Sequence, residues 1–143
     1  MSDPYDLERF IDAQSETFEA ALAELRAGLK QSHWMWFVFP QLAGLGHSPT
    51  SQFYAIASLD EARAYLANPR LGPRLRASVE LLLAWAGRKT AEQILGPLDA
   101  VKLWSSLTLF NRASPGDLFG RALDALFDGV EDERTLALLG MAR

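Results

Sequence analysis

From residue 58 to residue 129 the chain is punctuated as a relay of helices, each apolar stripe opening on a capping residue and closing on glycine or proline. Ser58, with Glu61 three places on, spells a capping box ahead of Leu59, Ala62 and Leu66, and Asn68-Pro69 ends that run. Leu71, Leu75, Val79, Leu82 and Ala86 mark the next helix, which closes at Gly87. Thr90 and Gln93 make a second box before a short helix stopped by Gly96-Pro97. Asp99 is placed to cap a segment running to Ala113, and Ser114-Pro115 opens one that carries Leu118, Phe119, Ala122, Leu123, Leu126 and Phe127 to Gly129. A last short helix is expected from Glu133 to Leu139. Upstream, "DPYDLERFIDAQSETFEAALAELRAGLK" offers Asp3 as N-cap, Pro4 at the first helical position and one apolar stripe from Leu7 to Leu29. No stretch alternates apolar and polar residues with β-branched enrichment, and "WMWFVF", taken as a strand, has no sheet to join. The expectation is an all-α fold: one helical domain over residues 1–143, a bundle of about seven to eight helices of unequal length.

A chain of 143 residues buries enough surface to form a core without staples. There is no cysteine, which excludes disulfides, zinc-thiolate sites and thiol nucleophiles. The formal charge of -4 argues against a nucleic-acid partner, which calls for a concentrated basic face. "MSDPYDLERF" lacks the basic and apolar regions of a signal peptide, and the stretch from Trp34 to Gly46 is too short to span a bilayer. The expectations are a cytoplasmic protein with no membrane and no nucleic-acid partner, a monomer or weak homodimer.

The pattern breaks in three places, and breaks gather at strained or functional sites. Gln14 falls in the middle of the N-terminal apolar stripe, between Phe10 and Phe18. Its amide needs partners there: a loop carbonyl or water on one reading, a ligand on the other. In "DAVKLWSSLTLFNRA", large apolar residues surround the helix, as in a central buried one, yet Lys102 and Ser106 sit among them, four apart and on one face. Lys102 is either a snorkelling stem or a fixed charge in a cleft.

The third break is "HWMWFVFPQLAGLGHSPTS", residues 33–51. Trp34, Trp36, Phe37 and Phe39 cannot all enter one core from one short segment, so some of them line a wall or meet a partner. Gly44 and Gly46 then allow tight backbone, and "HSPTS", with Ser48 and Ser51, leads into a helix expected from Ser51 to Ala57 whose free amides suit an anion. The glycine-lysine-hydroxyl ending of a P-loop is absent. His33 and His47 lack metal-ligand spacing, so no metal and no cofactor is expected. His33 reads as a structural hydrogen-bonder before a general base, and His47 as an exposed loop residue.

"DLERFIDAQ", "KQSHWMWFVFPQLAGLGHSPTSQFYAI", "SLDEARAYLANPRLGPRL" and "DAVKLWSSLTLF" together resemble the bacterial family known as domain of unknown function 1810, from about Asp6 to Leu139. The resemblance implies a small, mostly helical, single-domain protein and brings no activity with it. Relatives tend to have methionine where this chain has Leu107, a near match in volume. Some members are labelled calpastatin, an inhibitor that is disordered, unlike a chain with clear helical stripes.

The three breaks fall within these segments, and one arrangement joins them. The aromatic block would wall a cleft whose polar groups come from Gln14, His33, Gln41, Ser48, Ser51, Lys102 and Ser106, with Trp34 and Trp36 as stacking surfaces and Gly44 and Gly46 in its loop. A small anionic aromatic ligand, nucleotide or ADP-ribose-like, would suit it, with hydrolysis or transfer as an open question. The alternatives are an interaction or homodimer module using the 33–41 block, or a purely structural domain.

Overall fold

The computed structural model describes residues 3–141. Among them run ten helices: α1 (Glu8–Gln14), α2 (Phe18–Ala27), α3 (Met35–Val38), α4 (Pro49–Phe53), α5 (Leu59–Ala67), α6 (Leu71–Leu83), α7 (Ala91–Leu95), α8 (Pro97–Ala113), α9 (Leu118–Phe127) and α10 (Glu133–Leu138). An isolated parallel bridge joins Leu42 to Ile56. The expected all-α class holds, and no helix among the described residues is long and apolar enough to cross a membrane.

The helix count exceeds expectation for local reasons. The long N-terminal helix is two helices, because the Ser15 hydroxyl donates to Asp12 O and the Thr17 hydroxyl to Ala13 O, side chains competing for the carbonyls that would carry the helix on. Its start also moves: the Asp3 carboxylate accepts from Leu7 N and Glu8 N, so Pro4 lies in the lead-in turn and the helix begins at Glu8. "WMWFVF" contains the single turn α3, which was not expected, and the helix expected from Ser51 to Ala57 is α4, Pro49–Phe53.

The other start signals hold to different degrees. Thr90 and Gln93 form the complete reciprocal box. At Ser58 only half of the box forms: Ser58 accepts from Glu61 N, but the Glu61 carboxylate turns to Ala57 N and Arg9. Asp99 caps nothing, since α8 starts two residues earlier at Pro97 and the carboxylate is held by lysines. Asp117, accepting from Ser114 Oγ, takes the capping position of α9 that Ser114 was expected to hold.

The expectation of a central buried helix at residues 99–113 is met by α8, which packs against α5, α7, α9 and α10 and buries Leu103, Leu107, Leu109 and Phe110. A chain of rings crosses the core from α1 to α9. Phe10 meets Tyr65 edge-on at 5.1 Å, Tyr65 meets Phe110 at 5.4 Å, and Phe110 meets Phe119 at 5.7 Å. Each ring buries a large apolar area and fixes its neighbour's orientation. Burial pushes the Tyr65 hydroxyl well above its ordinary pKa, so it remains neutral and accepts from the Gln14 amide.

Candidate functional site

The aromatic block is set in place by one carboxylate. Glu24 on α2 accepts from Gln31 N at 2.7 Å, Ser32 N at 2.9 Å, Ser32 Oγ at 2.5 Å and Trp34 Nε1 at 2.9 Å. Burial works to raise the pKa of this carboxyl, but the four donors together lower it from 4.5 to about 2. The folded pKa lies below the unfolded one, so the stabilisation is present above pH 4.5 and lost as pH falls towards 2. Glu24→Gln, which cannot satisfy all four donors, is expected to cost about 1–2 kcal/mol at pH 7 once solvent screening is allowed for. Urea midpoints at pH 7 and pH 3 check this: the gap between the proteins narrows at the lower pH. An unchanged gap would mean that Glu24 does not carry that dependence.

With its indole anchored on Glu24, Trp34 is 1% exposed, and Phe37 and Phe39 are buried with it. Trp36, two residues on, is only partly buried. Trp85 donates its indole N–H to Leu25 O and Trp104 donates its own to Val130 O, as Trp34 does to Glu24. The Trp36 indole N–H has no hydrogen-bond partner among the described residues, and it is not among the side-chain atoms sealed from solvent.

Trp36 lines a cleft of about 90 Å³ with Gln41, Leu42, Gly44, Ser51 and Tyr54 among others. The loop that forms it is closed at its base, where Ala43 N donates to Ile56 O and Ile56 N to Gln41 O, each at 2.8 Å. Arg9 clamps its far limb, donating to Phe53 O at 2.8 Å and Ala55 O at 2.9 Å. Gly46 packs so tightly on Ser51 that a Cβ there would lie 2.6 Å from that side chain. Tyr54 is held by Phe37, stacked at 5.4 Å, and Phe53, edge-on at 4.8 Å. The Tyr54 hydroxyl and the Gln41 carboxamide, like the Trp36 N–H, make no hydrogen bond among the described residues.

Trp36 also lines a second hollow, of about 80 Å³, together with Lys30, His33, Trp34, Met35, Asp99 and Lys102. Lys102 Nζ stands 4.2 Å from the centre of the Trp36 ring and Lys30 Nζ 5.2 Å from that of Trp34, both cation–π distances. Asp99 bridges the two ammoniums, at 2.8 Å to Lys30 and 2.9 Å to Lys102. Burial raises the pKa of its carboxyl, and the hydrogen bonds from Lys102 and Lys30 outweigh this and hold it below the ordinary value.

The structure therefore splits the expected constellation. Trp36, Gln41, Gly44, Gly46 and Ser51 line the first cleft, and His33, Trp34, Trp36 and Lys102 the second, with Trp36 common to both. Gln14 joins neither. Its Nε2 donates to Phe37 O at 2.7 Å and Tyr65 OH at 3.3 Å, and its Oε1 accepts from Arg74 at 3.3 Å, so the amide ties α1 to the aromatic block and to α6. Ser106 lies 1% exposed on α8, and its hydroxyl is the one buried side-chain polar atom without a partner among the described residues, but it lines neither hollow. The expected meeting of Gln14, Lys102 and Ser106 in one cleft does not occur.

The loop amides are also differently used. Helix α4 begins at Pro49 rather than Ser51 and is five residues long. Ser48 Oγ accepts from Ser51 N at 3.1 Å, and Ser48 O accepts from Gln52 N at 3.0 Å, so these amides are spent on the turn itself. Positive charge comes instead from Lys30 and Lys102. Sequence reasoning missed Lys30, Tyr54 and Asp99 as site residues. The only signal for the first two was their place inside the aromatic segments, and Asp99 read as a helix cap.

Comparison with known proteins places this arrangement in context. Residues 4–139 match the family model described as "Protein of unknown function (DUF1810)". No curated protein matches the chain. Among solved structures, the conserved hypothetical protein Rv1873 from Mycobacterium tuberculosis is 49% identical, with a TM-score of 0.93 over 96% of this chain and 99% of that one.

Proposed function

The chain belongs to the DUF1810 family of proteins of unknown function, and since that kinship brings no activity we propose one from the geometry: it binds a small molecule astride Trp36. The ligand has a flat ring bearing hydrogen-bond acceptors, joined to an anionic group, as in the nucleotide and ADP-ribose class. The observation that carries this reading is that Trp36, Gln41 and Tyr54 line one cleft and that the Trp36 N–H, the Gln41 amide and the Tyr54 hydroxyl each make no hydrogen bond among the described residues. An apolar hollow with a few convergent polar groups is the usual form of a small-molecule site. At about 90 Å³ the cleft is smaller than a complete ligand site, for which about 300–1,000 Å³ is typical. It takes one ring, and the remainder of the ligand crosses the Trp36 edge towards Lys102 and His33.

The test is a thermal-shift panel of AMP, NAD, ADP-ribose and related compounds. A ligand at one hundred times its dissociation constant adds about 2.7 kcal/mol to stability. Trp36→Phe, which keeps a ring but loses the donor, and Lys102→Met should each remove most of the shift while leaving the free protein nearly as stable. A response that survives both substitutions would place binding elsewhere. No response to any ring compound, with a mass that rises with concentration, would favour the homodimer reading instead.

A further inference from the structure

We propose that Asp99 sets the charge of the group the hollow beside Trp36 accepts, restricting it to a monoanionic oxyanion, a phosphodiester or carboxylate, over a dianionic phosphate monoester. The inference deepens the reading above and rests on it only for the place where the ligand sits.

The selection is electrostatic. Among the residues lining the hollow, Lys30 and Lys102 supply two ammoniums and Asp99 one carboxylate. The three side chains are largely covered, at 10%, 24% and 17% exposure for Lys30, Lys102 and Asp99. Each ammonium has three N–H donors and spends one on Asp99, so further donors remain on both. The indoles of Trp34 and Trp36 under the ammoniums keep the surroundings apolar on that side.

One positive charge is left in excess. Attraction of a ligand to it grows in proportion to the ligand's charge, whereas the cost of removing the ligand from water grows with the square of that charge. A monoanion neutralises the hollow. A dianion gains twice the attraction at four times the desolvation, and its second charge stands beside the Asp99 carboxylate. Asp99 sits in the first turn of the 17-residue helix α8, where the helix dipole also favours its ionised form. With Asp99 neutral, the net attraction doubles and the balance moves towards the dianion.

The experiment uses two ringless probes at pH 8 and constant ionic strength: dimethyl phosphate, a monoanion, and methyl phosphate, a dianion. Each is titrated into the full chain while the indole N–H signals of the four tryptophans are followed by nitrogen–proton correlation NMR. The Trp36 signal is assigned by its loss in Trp36→Phe. The wild-type Trp36 signal should move saturably with dimethyl phosphate at a concentration about tenfold below that needed for methyl phosphate. In Asp99→Asn the order should reverse, with the Trp85 and Trp104 signals reporting that the fold is kept. If that variant does not fold, Lys102→Met, with no excess charge, should respond to neither probe. Equal or stronger binding of methyl phosphate by the wild type, an unchanged preference in Asp99→Asn, a Lys102→Met response, or still signals with both probes would each overturn the proposal. The probes carry no ring, so this outcome is read independently of whether any aromatic compound enters the cleft.

Discussion

Arg9→Met is expected to destabilise the protein by about 3–5 kcal/mol, because it strands a buried carboxylate as well as removing a clamp. All five N–H groups of Arg9 are engaged. Nε donates to Phe53 O at 2.8 Å, Nη1 to Tyr5 O at 2.6 Å and Asp6 O at 2.8 Å, and Nη2 to Ala55 O at 2.9 Å and Glu61 Oε2 at 2.8 Å. The guanidinium also stands 4.3 Å from the centre of the Phe10 ring. Glu61 is 3% exposed, so the loss of Arg9 leaves its charge with only Ala57 N as a donor. Arg9→Lys should recover little, since one ammonium cannot reach groups spread around a planar fork. The double variant Arg9→Met with Glu61→Gln should recover part of the loss by removing the unpaired charge. Denaturant midpoints decide it: a loss under about 1 kcal/mol for Arg9→Met would show that water replaces the clamp at little cost.

Asp132→Ala ranks second, at about 2–4 kcal/mol from a lost helix cap and stranded hydroxyls. Asp132 is 1% exposed and precedes α10. Its carboxylate accepts from Ser105 Oγ at 2.5 Å, Thr135 Oγ1 at 2.8 Å and Arg134 N at 3.2 Å, while its own N–H donates to Thr108 Oγ1 at 2.9 Å. Burial would raise the pKa of this carboxyl, but the Ser105 and Thr135 hydroxyls and Arg134 hold it below its ordinary value. The group therefore fastens α10 to α8 as an anion. Helix α10 in turn braces the cleft loop, since Leu138 stands where a side chain on Gly44 would meet it at 3.2 Å. Hydrogen exchange should accelerate across Glu133–Leu138 in the variant before it does in α8. Uniform acceleration through both helices would show that Asp132 supports the whole core and is not a local fastening.

The sequence made the helices legible wherever periodicity and a cap agreed. Thr90 with Gln93 is the clearest case, because both halves of its box are local and no distant group competes for them. Ser58 with Glu61 shows the limit: Arg9 lies 52 residues from Glu61 in the chain, and no local pattern announces that it claims the carboxylate. The N-terminal break at Ser15–Thr17 is of the same kind, since its stripe is continuous and only the hydroxyl-to-carbonyl bonds interrupt it.

The candidate site was legible in part. The aromatic block and Lys102 belong to it, because rings crowded into one short segment cannot all be buried and a lysine on a core helix must reach a surface. Gln14 was marked for the same reason, a polar group in an apolar stripe, but its partners are a carbonyl, a phenol and a guanidinium of the protein itself. Periodicity identifies a polar group that needs partners and does not say whether they come from the chain. The hydrogen bonds carry that distinction: the Gln14 amide is satisfied within the chain, and the Trp36 N–H has no partner among the described residues.

The most direct measurement is the electron density beside Trp36 in a crystal grown with saturating ADP-ribose, and in a second from protein purified from cells without added ligand. The expected density is a flat ring between Trp36, Gln41 and Tyr54, an acceptor atom within hydrogen-bond distance of the Trp36 indole nitrogen, and a phosphate against Lys102; this is what small-molecule binding astride Trp36 predicts. A cleft filled by water alone in both crystals, with the added compound absent or bound elsewhere, would contradict it.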